Sequence, residues 1–319
     1  EGSTKFGADH KWGYFPAASV AWEMANMSFL ENHKDIVQSL KPRVSYGVTG
    51  RSDFDAYKSL STYSSNGTYL MDGNWVTGFA PSVNANPNLG WEKLVAINAG
   101  IDFSLLSGRL RGSVDWFDRQ SKDLLYNYTA PQPPFVWSNI LVNVGTTTNT
   151  GVEVTLEGDI FKKKDFTWTM SGNWSTGQTK LSKLSNDVYH ASYVDMYQKP
   201  GVGTTEYFFR IQEGSKVGQF YGYKFAGASE TGDMMVYDKE GNVIPAASAA
   251  PEDKVYIGNG TPKHYVSWSN TFRYKNFDLN LFFHGAFGYE IFNMRKYGMG
   301  LQGCGTDNVL RSAYLDDKD

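Results

Sequence analysis

Apolar and polar residues alternate through residues 151–174. Val152, Val154, Leu156, Gly158 and Ile160 take even positions, followed by Phe166, Trp168, Met170, Gly172 and Trp174. Glu153, Thr155, Glu157 and Asp159 take odd ones, followed by Thr167, Thr169, Ser171, Asn173 and Ser175. Neighbouring side chains of a strand point to opposite faces, so the pattern predicts a hairpin with one apolar and one polar face. A short charged turn, Lys162 to Asp165, divides the arms, with Phe161 and Phe166 beside it. Residues 263–287 repeat the plan. Val266, Trp268, Phe272 and Tyr274 oppose Ser267, Ser269, Thr271, Arg273 and Lys275; beyond a tight turn at Lys275-Asn276, Phe277, Leu279, Leu281, Phe283 and Phe287 oppose Asp278, Asn280, His284 and Ala286. Each arm is roughly ten residues, the length a tilted strand needs to cross a bilayer. A soluble antiparallel sheet shows the same alternation.

The same reading predicts further strands. Residues 12–24 place Trp12, Tyr14, Pro16, Ala18, Val20 and Trp22 on one face, with Pro16 requiring an edge or a bulge. A short helix is expected to start near Asn32, and Val44, Tyr46 and Val48 then alternate with polar neighbours. Residues 50–90, rich in Ser, Asn, Gly and Tyr, read as a long loop. Val95 to Phe103 and Leu110 to Trp116 form strands about a tight turn at Ser107-Gly108, the second extending through Leu124, Tyr126 and Tyr128. A Pro-rich connection follows, Pro131 to Pro134. Residues 177–262 form a long excursion punctuated by turn signals at Glu213-Gly214, Gly232-Asp233 and Glu240-Gly241-Asn242.

Two features favour a membrane wall over a soluble sheet. Connections after Phe103, Phe161 and Tyr274 are short, whereas those after Val48, Tyr128 and Trp174 are long, as in outer-membrane barrels. The apolar faces of the eight expected strands carry no Asp, Glu, Lys or Arg, while the opposite faces hold Glu23, Arg43, Asp102, Arg109, Arg111, Asp115, Glu153, Glu157 and Asp159. One charge on a lipid face costs about 2–4 kcal/mol at mid-bilayer, which accounts for such an exclusion. Composition agrees: aromatics reach 15% and suit strands and interfaces. A net charge of −3 provides no basic footprint for nucleic acid. Mean hydropathy is −0.43, which a barrel tolerates because every second residue faces the lumen.

Several blocks carry a family resemblance. Gly13-Tyr14-Phe15-Pro16 leading to Ala21-Trp22, Arg43-Val44-Ser45-Tyr46-Gly47-Val48-Thr49-Gly50, Asn86-Pro87-Asn88-Leu89-Gly90-Trp91-Glu92, Ala99-Gly100-Ile101-Asp102, Asn143-Val144-Gly145 with Gly151-Val152-Glu153, and Gly258-Asn259-Gly260-Thr261-Pro262-Lys263 run in order over nearly the whole chain. They resemble SusC/RagA-type TonB-linked outer-membrane transporters of Bacteroidetes. The resemblance implies an all-β fold: an antiparallel transmembrane β-barrel of about 22 strands, of which residues 1–319 supply about eight, all within the barrel domain. The plug, the TonB-contacting segment and the terminal strands are expected to lie outside this chain. The N-terminus shows no signal peptide and the charged ending, Tyr314 to Asp319, shows no closing strand, so the chain reads as a fragment. The resemblance also implies a bacterial outer-membrane location, a SusD-like surface lipoprotein as lid, energy from TonB, and oligosaccharides or peptides as cargo.

Candidate chemistry is sparse, and no catalysis or cofactor is expected. Cys304 is the only cysteine, which excludes a disulfide framework. The five histidines lack metal-ligand spacing. Glu153, Glu157 and Asp159 share a strand face, but a glycosidase pair roughly 5–9.5 Å apart arises by accident on many sheets. Asp238-Lys239-Glu240-Gly241-Asn242 reads as a hairpin turn, since no calcium-ligand series follows. The residues singled out for cargo are Tyr57, Tyr63, Tyr69, Trp75, Phe135 and Trp137 on long connections, as stacking rings, with Arg109 and Arg111 as lumen-lining cations. The alternative is packing within the loops for the rings and pairing with Asp115 for the arginines. The alternative function is a soluble β-rich glycan-binding module or glycoside hydrolase, with Val152, Leu156 and Ile160 in its core.

Overall fold

The computed structural model describes residues 1–186, 189–198, 207–299 and 308–311; Cys304 and the charged ending lie outside the described residues. In chain order, β1 (Ala17–Ala21) and β2 (Val37–Arg51) are followed by a hairpin, β3 (Tyr63–Met71) with β4 (Asn74–Pro81). Next come β5 (Glu92–Leu105) and β6 (Leu110–Lys122), then a second small hairpin, β7 (Leu125–Thr129) with β8 (Asn139–Asn143), then β9 (Thr146–Lys162) and β10 (Phe166–Lys183). Seven short strands follow: β11 (Tyr193–Gln198), β12 (Tyr207–Gln212), β13 (Gln219–Gly222), β14 (Lys224–Ala228), β15 (Met234–Tyr237), β16 (Val243–Pro245) and β17 (Val255–Asn259). β18 (His264–Tyr274) and β19 (Phe277–Phe287) complete the strands. The long ones, with the short β1 at one edge, form a single eight-stranded sheet in the order β1-β2-β5-β6-β9-β10-β18-β19, antiparallel from β1 through β10. It is an open segment of barrel wall, as expected.

Register turns the one-strand alternation into rows that cross the sheet. Val20, Val44, Ala99, Trp116 and Val152 stand opposite one another in succession. Pro42, Ile101, Val114, Val154 and Trp174 make the next apolar row. Between these rows runs a polar one: Arg43, Gly100, Asp115, Glu153 and Ser175. Val44 is 55% exposed, and Trp116, Leu156, Ile160, Trp174, Trp268 and Leu279 are also open. A soluble sandwich requires these side chains under a second layer; here they stay bare.

Several local expectations are corrected. The first strand is only Ala17–Ala21, because residues 1–13 form their own pairing through the Gly2–Trp12 bridge and the Ser3 N–H to Lys11 carbonyl bond at 2.9 Å. Pro16 sits just before this edge strand, and its carbonyl accepts from Val48 N–H at 3.0 Å. Instead of a helix near Asn32 there are two 3-10 turns, Met24–Asn26 and Glu31–His33. Glu23 anchors this connection: its carboxylate accepts from Ser39 hydroxyl at 2.6 Å and Leu40 N–H at 2.9 Å, and these bonds, Ser39 first, lower its pKa. The loop at 50–90 contains the β3–β4 hairpin. The strand through Trp116 stops at Lys122, because Asp123 takes a left-handed φ of 56° and β7 pairs with β8 instead.

The described chain divides into two compact units, Glu1–Ser192 with Tyr265–Gly285, and Tyr193–His264 with Ala286–Asp319. In the first, the long connections build small cores of their own. Phe6, Leu89 and Trp91 form one with Phe15, Phe54, Leu125 and Leu141; Ala130, Ile140, Val142 and Val144 form another with Tyr126, Tyr128, Phe135 and Tyr189. Alternation along β8 sends Ile140 and Val142 to one core and Leu141 to the other. In the second unit, β11-β12-β13-β17 form one sheet and β14-β15-β16 another. Arg210 binds Asp195 through two bonds of 2.8 Å, with the Tyr193 ring at 3.6 Å and the Tyr221 ring at 4.3 Å. That carboxylate raises the guanidinium pKa. The three turn signals hold, with Gly214, Gly232 and Gly241 at φ 79°, 85° and 91°.

Candidate functional site

The polar face of the large sheet is organised around two arginines. Arg43 Nε lies 3.2 and 3.1 Å from the two carboxylate oxygens of Asp102, and its Nη2 lies 2.6 Å from Asp115 Oδ1. Arg43 and Asp115 belong to strands separated by β5, and the residue between them in the row is Gly100. A Cβ there would meet Asp115 Oδ1 at 2.1 Å, so the absent side chain is what lets the pair close over β5. Arg111 serves Glu157 and, at 3.7 Å, Asp159, which also takes the Thr169 hydroxyl at 3.0 Å. Hydroxyl–amide bonds continue the wall: Thr155 to Asn173 at 2.8 Å, Asn173 to Ser267 at 3.1 Å, Asn280 to Thr271 at 2.9 Å. Half-exposed ion pairs contribute only about 0–1 kcal/mol each, so this network orients side chains more than it holds the fold.

Phe117 departs from the alternation: it is buried on the polar face, over Gly151, where a Cβ would come within 2.6 Å of its ring. The Arg119 guanidinium covers the ring at 4.3 Å. Phe282 also shares the polar parity of β19, yet is 60% exposed beside His284. Conversely, Asn270 lies on the apolar face. It is buried, and its Oδ1 accepts from Trp168 Nε1 at 3.1 Å, while the Trp168 ring stacks on Phe272 at 5.5 Å. The polar atom is thus satisfied beneath two rings, as a buried amide requires.

The residues expected to meet cargo fall into separate places. Tyr63 pairs with Pro81, whose carbonyl accepts from Trp137 Nε1 at 2.9 Å, so these two rings converge at the root of the β3–β4 hairpin. Register places Tyr63, Phe79, Leu70 and Trp75 on one face of that hairpin, Trp75 being 72% exposed, and Tyr69 on the other. Tyr57 is exposed in a tight turn with φ 69°. Phe135 instead packs against the Ile140–Val142 core. Arg109 and Arg111 lie near the opposite, short-turn end of their strand. Arg109 donates to the carbonyls of Asp159 (3.1 Å) and Ile160 (3.2 Å), clamping neighbouring β9, and neither arginine pairs with Asp115, which Arg43 occupies.

The motif at residues 86–92 is a loop clamp. Asn86 Nδ2 donates to the Leu141 carbonyl at 2.8 Å, while Asn143 exchanges bonds with both backbone groups of Gly90 at 2.7 and 2.8 Å. Asn84 repeats the device, accepting from the Val136 and Trp137 N–H groups and donating to the Trp137 and Asn139 carbonyls. These partners lie more than fifty residues away in sequence, so only the motif itself, not its role, can be read from the chain. Asp238 closes a hairpin turn by accepting from Glu240 and Asn242 N–H groups at 2.9 and 2.8 Å, as read from its sequence. Those bonds, with that from the Asn242 side chain leading, lower its pKa. Among the described residues no three His, Cys, Asp or Glu side chains gather to hold a metal.

The profile of the family described as TonB dependent receptor-like, beta-barrel matches residues 1–290. TonB-dependent receptor P3 of Formosa agariphila is 31% identical over 330 aligned positions, covering 97% of this chain and 32% of that protein. TonB-dependent receptor SusC of Bacteroides thetaiotaomicron is 26% identical, over 97% of this chain and 31% of its own length. The chain therefore spans about a third of the length of these curated relatives. Among solved structures, the RagAB peptide transporter aligns with a TM-score of 0.77 over 93% of this chain and 32% of its own, at 24% identity. At that identity the likeness speaks for the fold.

Proposed function

Because this chain belongs to the TonB-dependent receptor β-barrel family, an outer-membrane family, we propose that residues 1–319 are one stretch of a single barrel wall in a SusC/RagA-type importer. The observation that carries the reading is the division of the large sheet into an exposed apolar face and a polar face of paired charges. Lipid covers the first; the lumen and its plug meet the second. The plug, the TonB-contacting segment and the remaining strands are assigned to the parts of the full-length protein beyond this third. The wall performs no chemistry, and the energy of uptake comes from TonB.

The cargo is an oligosaccharide or a peptide, passed inward beneath a SusD-like lipoprotein lid. Within this chain the exposed rings Tyr63 and Trp137 at the hairpin root and Trp75 near its turn are the favoured cargo contacts, with Tyr57 and Tyr69 in the same connection. Phe135 and Arg109 are assigned to packing and clamping on the geometry above, and Arg111 to the lumen wall. The test uses the full-length protein in its own bacterium. Heat-modifiable migration from the outer-membrane fraction and TonB-dependent uptake of labelled oligosaccharides or peptides are the expected results. A full-length product recovered as a monomer from the aqueous fraction overturns the reading.

A further inference from the structure

The short-turn end of the sheet concentrates positive charge at one level. Lys162, Lys163 and Lys164 occupy the end of β9 and its turn, and Lys275 occupies the β18–β19 turn. The two turns are joined by a bond from Lys275 N–H to the Asp165 carbonyl at 2.9 Å. Lys162 is spent on Asp159, 3.7 Å away. Within the two turns that leaves Lys163, Lys164 and Lys275 against a single carboxylate-bearing residue, Asp165. All three are exposed.

The surroundings separate this cluster from an ordinary solvated turn. The Lys163 ammonium lies 5.9 Å from the Phe161 ring centroid, and that of Lys275 lies 5.4 Å from Tyr274. A register shift at Ile160 places odd-numbered Phe161 opposite Trp168, on the apolar face. Phe277 is 77% exposed beside Lys275. Immediately beyond these rings the bare apolar face begins, with Ile160, Trp268 and Leu279 open. Rings at the edge of an apolar band mark the interface, and ammoniums just outside them stand where lipid phosphates end.

We propose that this rim binds the headgroups of anionic phospholipids in the leaflet facing the short turns. The acyl chains lie along Leu279 and Trp268, and the phosphates meet Lys163, Lys164 and Lys275. The inference rests on the membrane reading, and its test keeps the two apart. Full-length protein in detergent is given equal amounts of phosphatidylglycerol and phosphatidylethanolamine with identical acyl chains, and retained lipid is counted by native mass spectrometry. The wild type is expected to retain the anionic lipid preferentially. A cation near an anionic surface is worth roughly fivefold in binding, so Lys163→Gln/Lys164→Gln/Lys275→Gln should reduce the preference about tenfold or more. Lys58→Gln, in the 52–62 loop, should leave it unchanged. No preference in the wild type, or an undiminished one in the triple variant, overturns the proposal. Heat-modifiable migration is read from the same samples: if it persists while the preference is absent, only the rim assignment falls; if it too is absent, the membrane reading falls.

Discussion

Gly100 shows what an absent side chain does in this sheet. It stands in the row between Arg43 and Asp115, and any Cβ there would collide with the Asp115 carboxylate at 2.1 Å. Gly100→Val should therefore push Asp115 away from Arg43 and cost about 1–3 kcal/mol, the usual range for overpacking. The measurement is the temperature at which the full-length protein loses its compact gel migration. Asp115→Ala removes the atom struck, so Gly100→Val added to Asp115→Ala should cost markedly less than Gly100→Val alone. Equal costs in both backgrounds would show that the glycine is needed for another reason. None of this is legible from the chain, where Ala99-Gly100-Ile101-Asp102 is only a conspicuous block. The collision exists because β2 and β6 flank β5, and a partner 59 residues before Asp102 is invisible to local spacing.

At the level of elements, legibility followed selection on faces. The long strands are readable because one face of each carries apolar side chains and the other polar ones. The β3–β4 hairpin was not, since every residue of β3 is exposed and both of its faces carry large rings. The bulge at Ile160 was equally hidden: it shifts the alternation by one residue, and only pairing with β10 reveals it. The readable strands yield a sharp test. Val154 and Thr155 are neighbours in β9, one in the apolar row with Val114 and Trp174, the other in the polar row with Ser113 and Asn173. Val154→Lys should cost about 2–4 kcal/mol at mid-bilayer and abolish heat-modifiable assembly of the full-length protein. Thr155→Lys, one residue away on the polar face, should assemble normally. Loss of assembly in both, or in neither, would remove the distinction on which the two-faced sheet depends.

For the whole molecule the decisive fact is that the eight-stranded order runs from β1 to β19 without returning on itself. β19 presents eleven residues as an outer strand, with Phe277, Leu279, Leu281 and Phe283 exposed on one face. An exposed, apolar edge of that length is a template for pairing with another chain. The short β1, preceded by Pro16, is a poorer one. In a complete barrel both edges are taken up by further strands, which is where the remaining two thirds of the curated relatives' length becomes relevant. The 319-residue chain produced alone should therefore associate through β19 and give no heat-modifiable band in detergent. Supplying the rest of the full-length protein as a second polypeptide should restore the band, because backbone pairing at the two edges needs no covalent continuity. Light scattering and gel migration of the two samples check this. A monodisperse chain in detergent-free buffer, with β19 protected from hydrogen exchange, would mean that the apolar face and the edge are covered from within the 319 residues, contrary to a wall segment that needs its neighbours.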